Sequence, residues 1–222
     1  MPMMCEKYNA MSFRNKIKKY AESPISRHLV LEELGEYKRP NDKISELIKS
    51  EKLIPLRRGL YVTGPELDLP VPKPFLIANH LRGPSYVSLE SALSYWDMIP
   101  ERVHEISSVT IKTSKIYNTP VGRFSYKQLK IPYYSYGLKN VEFSAKQTAL
   151  VASPEKALCD KIVLTPNINL RSVKQAQEFL FEDLRIDEVT LDTLDTKLMQ
   201  LWVKQAPKRN SLKILIKTLT SL

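Results

Sequence analysis

Apolar residues fall at helical intervals through the first fifty positions and at alternating positions through the middle of the chain. The two periods predict helices and strands respectively. In "SFRNKIKKYA", from Ser12, Phe13, Ile17 and Tyr20 line one helical face and lysines take the other. "ISRHLVLEELG" spaces Val30 and Leu34 one turn apart, with Gly35 placed to terminate the helix. "NDKISELIKSE" gathers Ile44, Leu47 and Ile48 into one stripe behind Asn41, a residue type that caps helices. "LIPLRRGLYVT" then reads as two short strands about a tight turn, with Gly59 free to take positive φ.

The period changes after "GPELDLPVPKP", whose Pro65, Pro70, Pro72 and Pro74 remove backbone donors and disfavour helix. A boundary therefore falls there, giving a domain over 1–64, a proline-rich linker over 65–74 and a second domain over 75–222. In the second domain "FLIANHL" and "SLESALSYWDM" predict helices, Ser88 capping the latter. "SSVTIKTSKIY", "GRFSYKQL", "PYYSYGL", "VEFSA" and "TALVAS" predict strands of a largely antiparallel sheet. Helices return in "SPEKALCDKIV", with Ser153 as cap and Pro154 in the first turn. "SVKQAQEFLFEDL", "TLDTLDTKLMQLWVKQA" and "SLKILIKTLTSL" continue them. The fold class is α+β. Three helices followed by a hairpin is the order of a winged helix-turn-helix, here preceding a mixed α+β domain with a largely antiparallel sheet and C-terminal helices.

Charge sharpens this picture. Lys and Arg number 34 against 24 Asp and Glu, a net charge of +10. That surplus favours nucleic acid, an acidic protein or another anionic surface as partner. It is densest in the first 64 residues, with 13 basic and 8 acidic side chains. Cys5 and Cys159 stand far apart, which argues against a disulfide framework or a paired-cysteine zinc site. No apolar run approaches the roughly 20 residues needed to span a bilayer, and no signal-peptide pattern opens the chain. A soluble, cytoplasmic protein with no cofactor and no membrane partner is the expectation.

In a winged helix-turn-helix the third helix enters the major groove and the hairpin meets the backbone. Lys38, Arg39, Asn41, Lys43, Ser45 and Lys49 are then the candidate DNA contacts on and beside that helix, and Arg57 and Arg58 those of the wing. Asp42 and Glu46 share the helix face and Glu51 lies near the wing, where carboxylates oppose phosphates. The alternative for both groups is a solvated basic surface. Enzymatic patterns are sparse. His28, His80 and His104 match no zinc spacing, and neither a phosphate-binding glycine loop nor a G-x-S-x-G elbow is present. Glu155, Lys156 and Asp160 share one helix, which a nuclease could use, although surface charge on an amphipathic helix is the expected role. Trp96 and Trp202 are expected to anchor the core.

The blocks "LIPLRRGLYV", "IANHLRGPSYVSLESALSYWDMIPE", "VTIKTSKIYNTPVGRFSYKQL" and "SPEKALCDKI" resemble the AbiEi antitoxin family over roughly residues 12 to 165, "GPSYVSLESAL" being the most specific. The resemblance implies a transcriptional autorepressor that binds double-stranded DNA at repeats in its own promoter. It also implies a second domain that counteracts an AbiE-type nucleotidyltransferase toxin in abortive infection, without a stable complex between the two. No catalytic residue, metal or cofactor is carried over. Arg57, Arg58 and Gly59 map to the family's wing and "NDKISELIK" to its recognition helix. An orphan DNA-binding regulator, or a protein-interaction module with an acidic partner, is the alternative function.

Overall fold

A computed structural model describes residues 13–35 and 37–222. Residues 13–17 form a helix, α1, that tightens into a 3-10 turn at Lys18–Tyr20. Phe13 and Ile17 are buried along it, while Ser12 and Cys5 lie outside the described residues. Helix α2 spans Arg27–Glu33, capped by Ser26 Oγ, which accepts from the Leu29 N–H at 3.3 Å. It ends without the left-handed residue expected at Gly35. The Leu34 N–H is instead shared between the Val30 and Leu31 carbonyls, and the Gly35 N–H reaches back three residues to Glu32, tightening the last turn.

Helix α3 is Pro40–Lys49, with Arg39 at the N-cap and Pro40 in the first turn. Proline's fixed φ and missing donor suit that position, so Asn41 lies inside the helix rather than capping it. The stripe of Ile44 and Leu47 is buried and Ile48 half-buried, as their spacing predicts.

Strands β2 (Leu53–Arg57) and β3 (Leu60–Thr63) form the hairpin, and β1 (Ile25–Ser26) adds to it in the order β1-β3-β2. Two residues are too few for β1 to register as a strand in the sequence. Pro55 sits on β2 at the sheet edge, where a missing donor disrupts least. Gly59 closes the turn at φ 79°, the conformation anticipated for it.

All four residues of β3 are buried, so both faces of the hairpin are covered. Tyr61 joins a small core with Phe13, Ile25, Val30 and Leu47. Leu60 and Val62 join the larger core of the following residues, with Ile77, Leu81 and Tyr86. The hairpin is thus a wall shared by two cores. The proline-rich segment is also fastened. Leu67 is buried in the small core, and Arg14 donates to the carbonyls of Leu67 and Asp68 at 2.7 and 2.9 Å. Thr63 Oγ1 donates to the Pro70 carbonyl at 3.1 Å, and the Lys73 N–H to Gln147 Oε1 at 2.7 Å.

The larger core surrounds a six-stranded sheet in the order β6-β7-β5-β4-β9-β8. Its strands are β4 (Ser85–Val87), β5 (Glu105–Thr110), β6 (Lys115–Thr119), β7 (Gly122–Gln128), β8 (Leu138–Ser144) and β9 (Gln147–Ala152). The pairs β5–β7 and β4–β9 are parallel and the others antiparallel, so the sheet is mixed rather than largely antiparallel. Parallel neighbours need a connection longer than a hairpin. Strand β6 supplies it for the first pair and the whole β5–β8 excursion for the second.

Helix α4 (Pro74–Leu81) lies against β4 and β9, and α5 (Leu89–Tyr95) against β5 and α6 (Pro154–Leu164). Ser153 caps α6 as expected. "PYYSYGL" is not a strand up to its last residue: Tyr133–Ser135 make a 3-10 turn, with Tyr133 and Tyr134 both buried. The tail holds α7 (Val173–Gln177), a wide π turn (Glu178–Asp183), α8 (Glu188–Asp192), α9 (Thr196–Val203) and α10 (Arg209–Thr220). The single run expected over "TLDTLDTKLMQLWVKQA" splits because Asp195 caps a new helix, α9, while α8 begins earlier, behind the Asp187 cap. No described helix is long and apolar enough to cross a membrane.

One polar network lies inside the larger core. Lys156 and Asp160 on α6 have no exposed side-chain surface and pair at 2.8 Å. The Tyr86 and Ser88 hydroxyls both donate to Asp160 Oδ2 at 2.8 Å, and Oδ1 is met by the ammonium alone. Lys156 also donates to the Tyr133 carbonyl at 3.0 Å and lies 3.4 Å from that residue's ring centroid. Ser88 spends its hydroxyl here instead of capping α5. Glycine is required at 137, where φ is 63° and a Cβ would stand 2.6 Å from Trp202 and 2.7 Å from Lys156 Cβ.

Burial pushes the phenols of Tyr86 and Tyr133 well above the ordinary tyrosine range and the Cys159 thiol up to about 12. Groups whose folded pKa is raised stabilise the fold fully below their unfolded values, here 9.0 for Cys and 10.0 for Tyr. Above them the unfolded chain loses protons that the folded one keeps, so stability falls. Melting followed by circular dichroism from pH 7.5 to 11 is expected to show a flat region to about pH 8.5 and a steady decline beyond. An unchanged midpoint at pH 11 contradicts the burial argument.

Candidate nucleic-acid interface

The exposed end of the hairpin lies between the start of α2 and the beginning of the mixed sheet. Arg27 opens α2, and its backbone N–H donates to the Gly59 carbonyl at 2.9 Å. Its guanidinium reaches across to α3, where Nη2 donates to Asn41 Oδ1 at 2.5 Å. A hollow beside it is lined by Arg27, Ile48, Arg57, Arg58 and Gly59. Arg27 therefore links the start of α3 to the hairpin tip.

A second hollow continues from the tip on the other side. Arg57, Arg58, Arg82, Lys112, Lys115 and Tyr117 line it, together with Leu81 and Gly83. Several of these cations are held in place by neutral groups. Arg57 Nε donates to the Leu81 carbonyl at 3.0 Å, at the end of α4. Arg82 grips Thr113 through Nε and Nη2, with Nη2 at 2.6 Å from the Thr113 carbonyl, and Nη1 reaches the Tyr117 hydroxyl at 3.4 Å. Lys112 Nζ donates to the Gly83 carbonyl at 2.5 Å, and Lys115 lies over the Tyr117 ring at 4.8 Å.

No carboxylate lines either hollow, and none of these cations is ion-paired among the described residues. Their charge is uncompensated at contact distance. Backbone carbonyls and an aromatic face orient them without neutralising them, which leaves the outward N–H groups able to bind phosphate oxygens. The wing arginines anticipated from sequence are both exposed and both belong to this surface.

The α3 candidates fare differently. Lys43 is only 18% exposed; its ammonium is ion-paired with Glu46 at 2.5 Å and lies over the Tyr37 ring. Ser45 Oγ donates to the Asn41 carbonyl within the helix at 3.1 Å, and Asn41 serves Arg27. Lys38, Arg39 and Lys49 are exposed. Lys49 borders a shallow depression shared with Asp42, Ser45 and Glu46, so the outer face of α3 carries both signs.

Arg27, Arg82, Lys112 and Lys115 have no place in the sequence reading of the interface. Arg27 comes to the interface from the first turn of α2, behind its Ser26 cap. The others reach the hairpin because β6 lies against β2, a contact that no local pattern encodes. The possible nuclease residues are internal. Lys156 and Asp160 are closed off in the buried network, and Glu155 accepts from Ser153 Oγ at 2.7 Å and from the Asp195 N–H at 3.3 Å. Among the described residues no cluster of His, Cys, Asp and Glu is arranged to hold a metal ion. Trp96 donates from Nε1 to the Ala152 carbonyl, and Trp202 stacks on Tyr136.

Comparison with known proteins adds no relative. No protein-family model matches the chain, and no curated protein is significantly similar to it.

Proposed function

We propose that the protein is a sequence-specific DNA-binding repressor whose N-terminal part is a winged helix-turn-helix. The helix–strand–helix–helix–hairpin order, with β1 added to the hairpin beside β3, supports that reading. The observation that carries it is the acid-free cationic surface running from Arg27 over the hairpin tip to Lys115. On this reading α3 enters the major groove, with Lys38, Arg39 and Asn41 at its leading end. Arg27, Arg57 and Arg58 hold one stretch of backbone, and Arg82, Lys112 and Lys115 extend the grip onto the second domain.

The test is a titration of the full chain with duplex DNA from its own promoter region over a series of salt concentrations. A site that neutralises about six phosphates gives a log–log slope of roughly −5. A slope near zero removes duplex DNA as the ligand of this surface.

The resemblance to AbiEi proteins extends the proposal to autorepression and to counteracting a nucleotidyltransferase toxin. Its most specific block meets another of its blocks in the buried network, since Tyr86 and Ser88 come from "GPSYVSLESAL" and Lys156 and Asp160 from "SPEKALCDKI". These are framework residues, so they speak for an architecture more than for an activity. Co-expression with a nucleotidyltransferase encoded beside the gene tests the antitoxin part by relief of growth arrest. Promoter binding without relief would leave an orphan regulator.

A further inference from the structure

The last two helices form a surface that DNA binding does not use. From Thr196 to Leu222 the chain carries Lys197, Lys204, Lys208, Arg209, Lys213 and Lys217 and no acidic residue. Between α9 and α10 runs an open groove of about 600 Å³, floored by Val203 and Ile216 and edged by Lys204, Lys213 and Lys217. No carboxylate lines it, and none of the three lysines is ion-paired among the described residues. On α10 the lining residues run from Lys213 to Thr220, two helical turns or roughly 10 Å. Leu201, one turn before Lys204 on α9, is 70% exposed.

We propose that this groove docks an acidic amphipathic helix of a partner protein. Apolar residues of that helix, spaced i, i+3 or i+4, i+7, lie on the Val203–Ile216 floor, and its flanking Asp and Glu side chains meet the three lysines. The groove's own chemistry separates this occupant from the others. A DNA backbone has no apolar face to cover the floor. A bilayer needs a projecting apolar surface, whereas Val203 and Ile216 lie at the bottom of a concavity. A second copy of the chain joined by a twofold axis would set the lysine rim against itself, and like charges oppose that contact. The inference concerns a different surface from the DNA interface and stands independently of it.

The experiment selects binders to the full chain from a display library of helical peptides about four turns long, with randomised surface positions. Selected peptides are expected to carry an apolar i, i+3/4, i+7 stripe flanked by Asp and Glu. Synthesised and labelled, they should bind the parent protein and lose at least about tenfold in affinity to Lys213→Glu/Lys217→Glu, the central charge-assisted contacts being reversed. Lys204→Glu should weaken them less, and Lys130→Glu, an exposed charge reversal on another part of the surface, should leave them unchanged. Melting curves confirm that each variant is folded. Peptides that bind the double reversal as well as the parent, or a selection without acidic residues, overturn the proposal. So does light scattering that shows self-association of the parent lost in the double variant, or binding to phosphatidylserine vesicles lost in the same way.

Discussion

Replacing Lys156 with methionine is expected to destabilise the protein by about 3–5 kcal/mol, the usual result of removing one partner from a buried ion pair. At this chain length that corresponds to a fall in melting temperature on the order of 10 °C. The methionine fills most of the lysine's volume, so the loss is electrostatic rather than a cavity effect. Asp160 would remain at zero exposure with two hydroxyl donors and no cation. A single charge left without its counter-ion inside the core is strongly unfavourable, because neither water nor a cation offsets its desolvation. Adding Asp160→Leu, which removes the stranded charge, should recover a large part of the loss at neutral pH. If Lys156→Met melts with the parent at pH 7.5, the ion pair does not hold the core together.

The same network shows where a reading of the sequence stops. Ser153 and Pro154 announce the start of α6, and the structure keeps both roles. The charges of α6 read first as a solvated face and only second as a catalytic one, yet they are internal. Their partners, Tyr86, Ser88 and the Tyr133 carbonyl, come from segments far away in the chain. Local period also finds α3 and the hairpin, because Ile44 and Leu47 fall on one helical face and Gly59 marks the turn. It misses β1 and β4, which are too short to establish an alternation. It gives Lys43 to DNA when Glu46, one turn on, has already claimed it. It sees Arg57 and Arg58 but not Arg82, Lys112 or Lys115, since a basic surface assembled across the β2–β6 contact is tertiary information.

The largest effect on DNA binding is expected from Arg57→Ala, Arg58→Ala and Arg82→Ala combined. Each lost phosphate contact reduces the salt slope by about 0.9, so three reduce a slope of roughly −5 to nearly −2. Affinity at physiological salt should fall on the order of a hundredfold for operator and unrelated duplex alike, because phosphate contacts carry no sequence information. Among the single variants Arg58→Ala should cost more than Arg57→Ala, whose guanidinium is partly committed to the Leu81 carbonyl. Arg82→Ala separates two versions of the interface. If binding is confined to the first 64 residues, it leaves the slope unchanged; if the surface extends to the second domain, it costs one contact. The opposite sign is expected on α3. Asp42→Asn with Glu46→Gln removes two carboxylates from the exposed face and releases Lys43 from its partner, so binding should tighten and the slope steepen. Weakening in the arginine variants with no gain in the acid-neutralised one would place the hairpin, but not α3, against DNA.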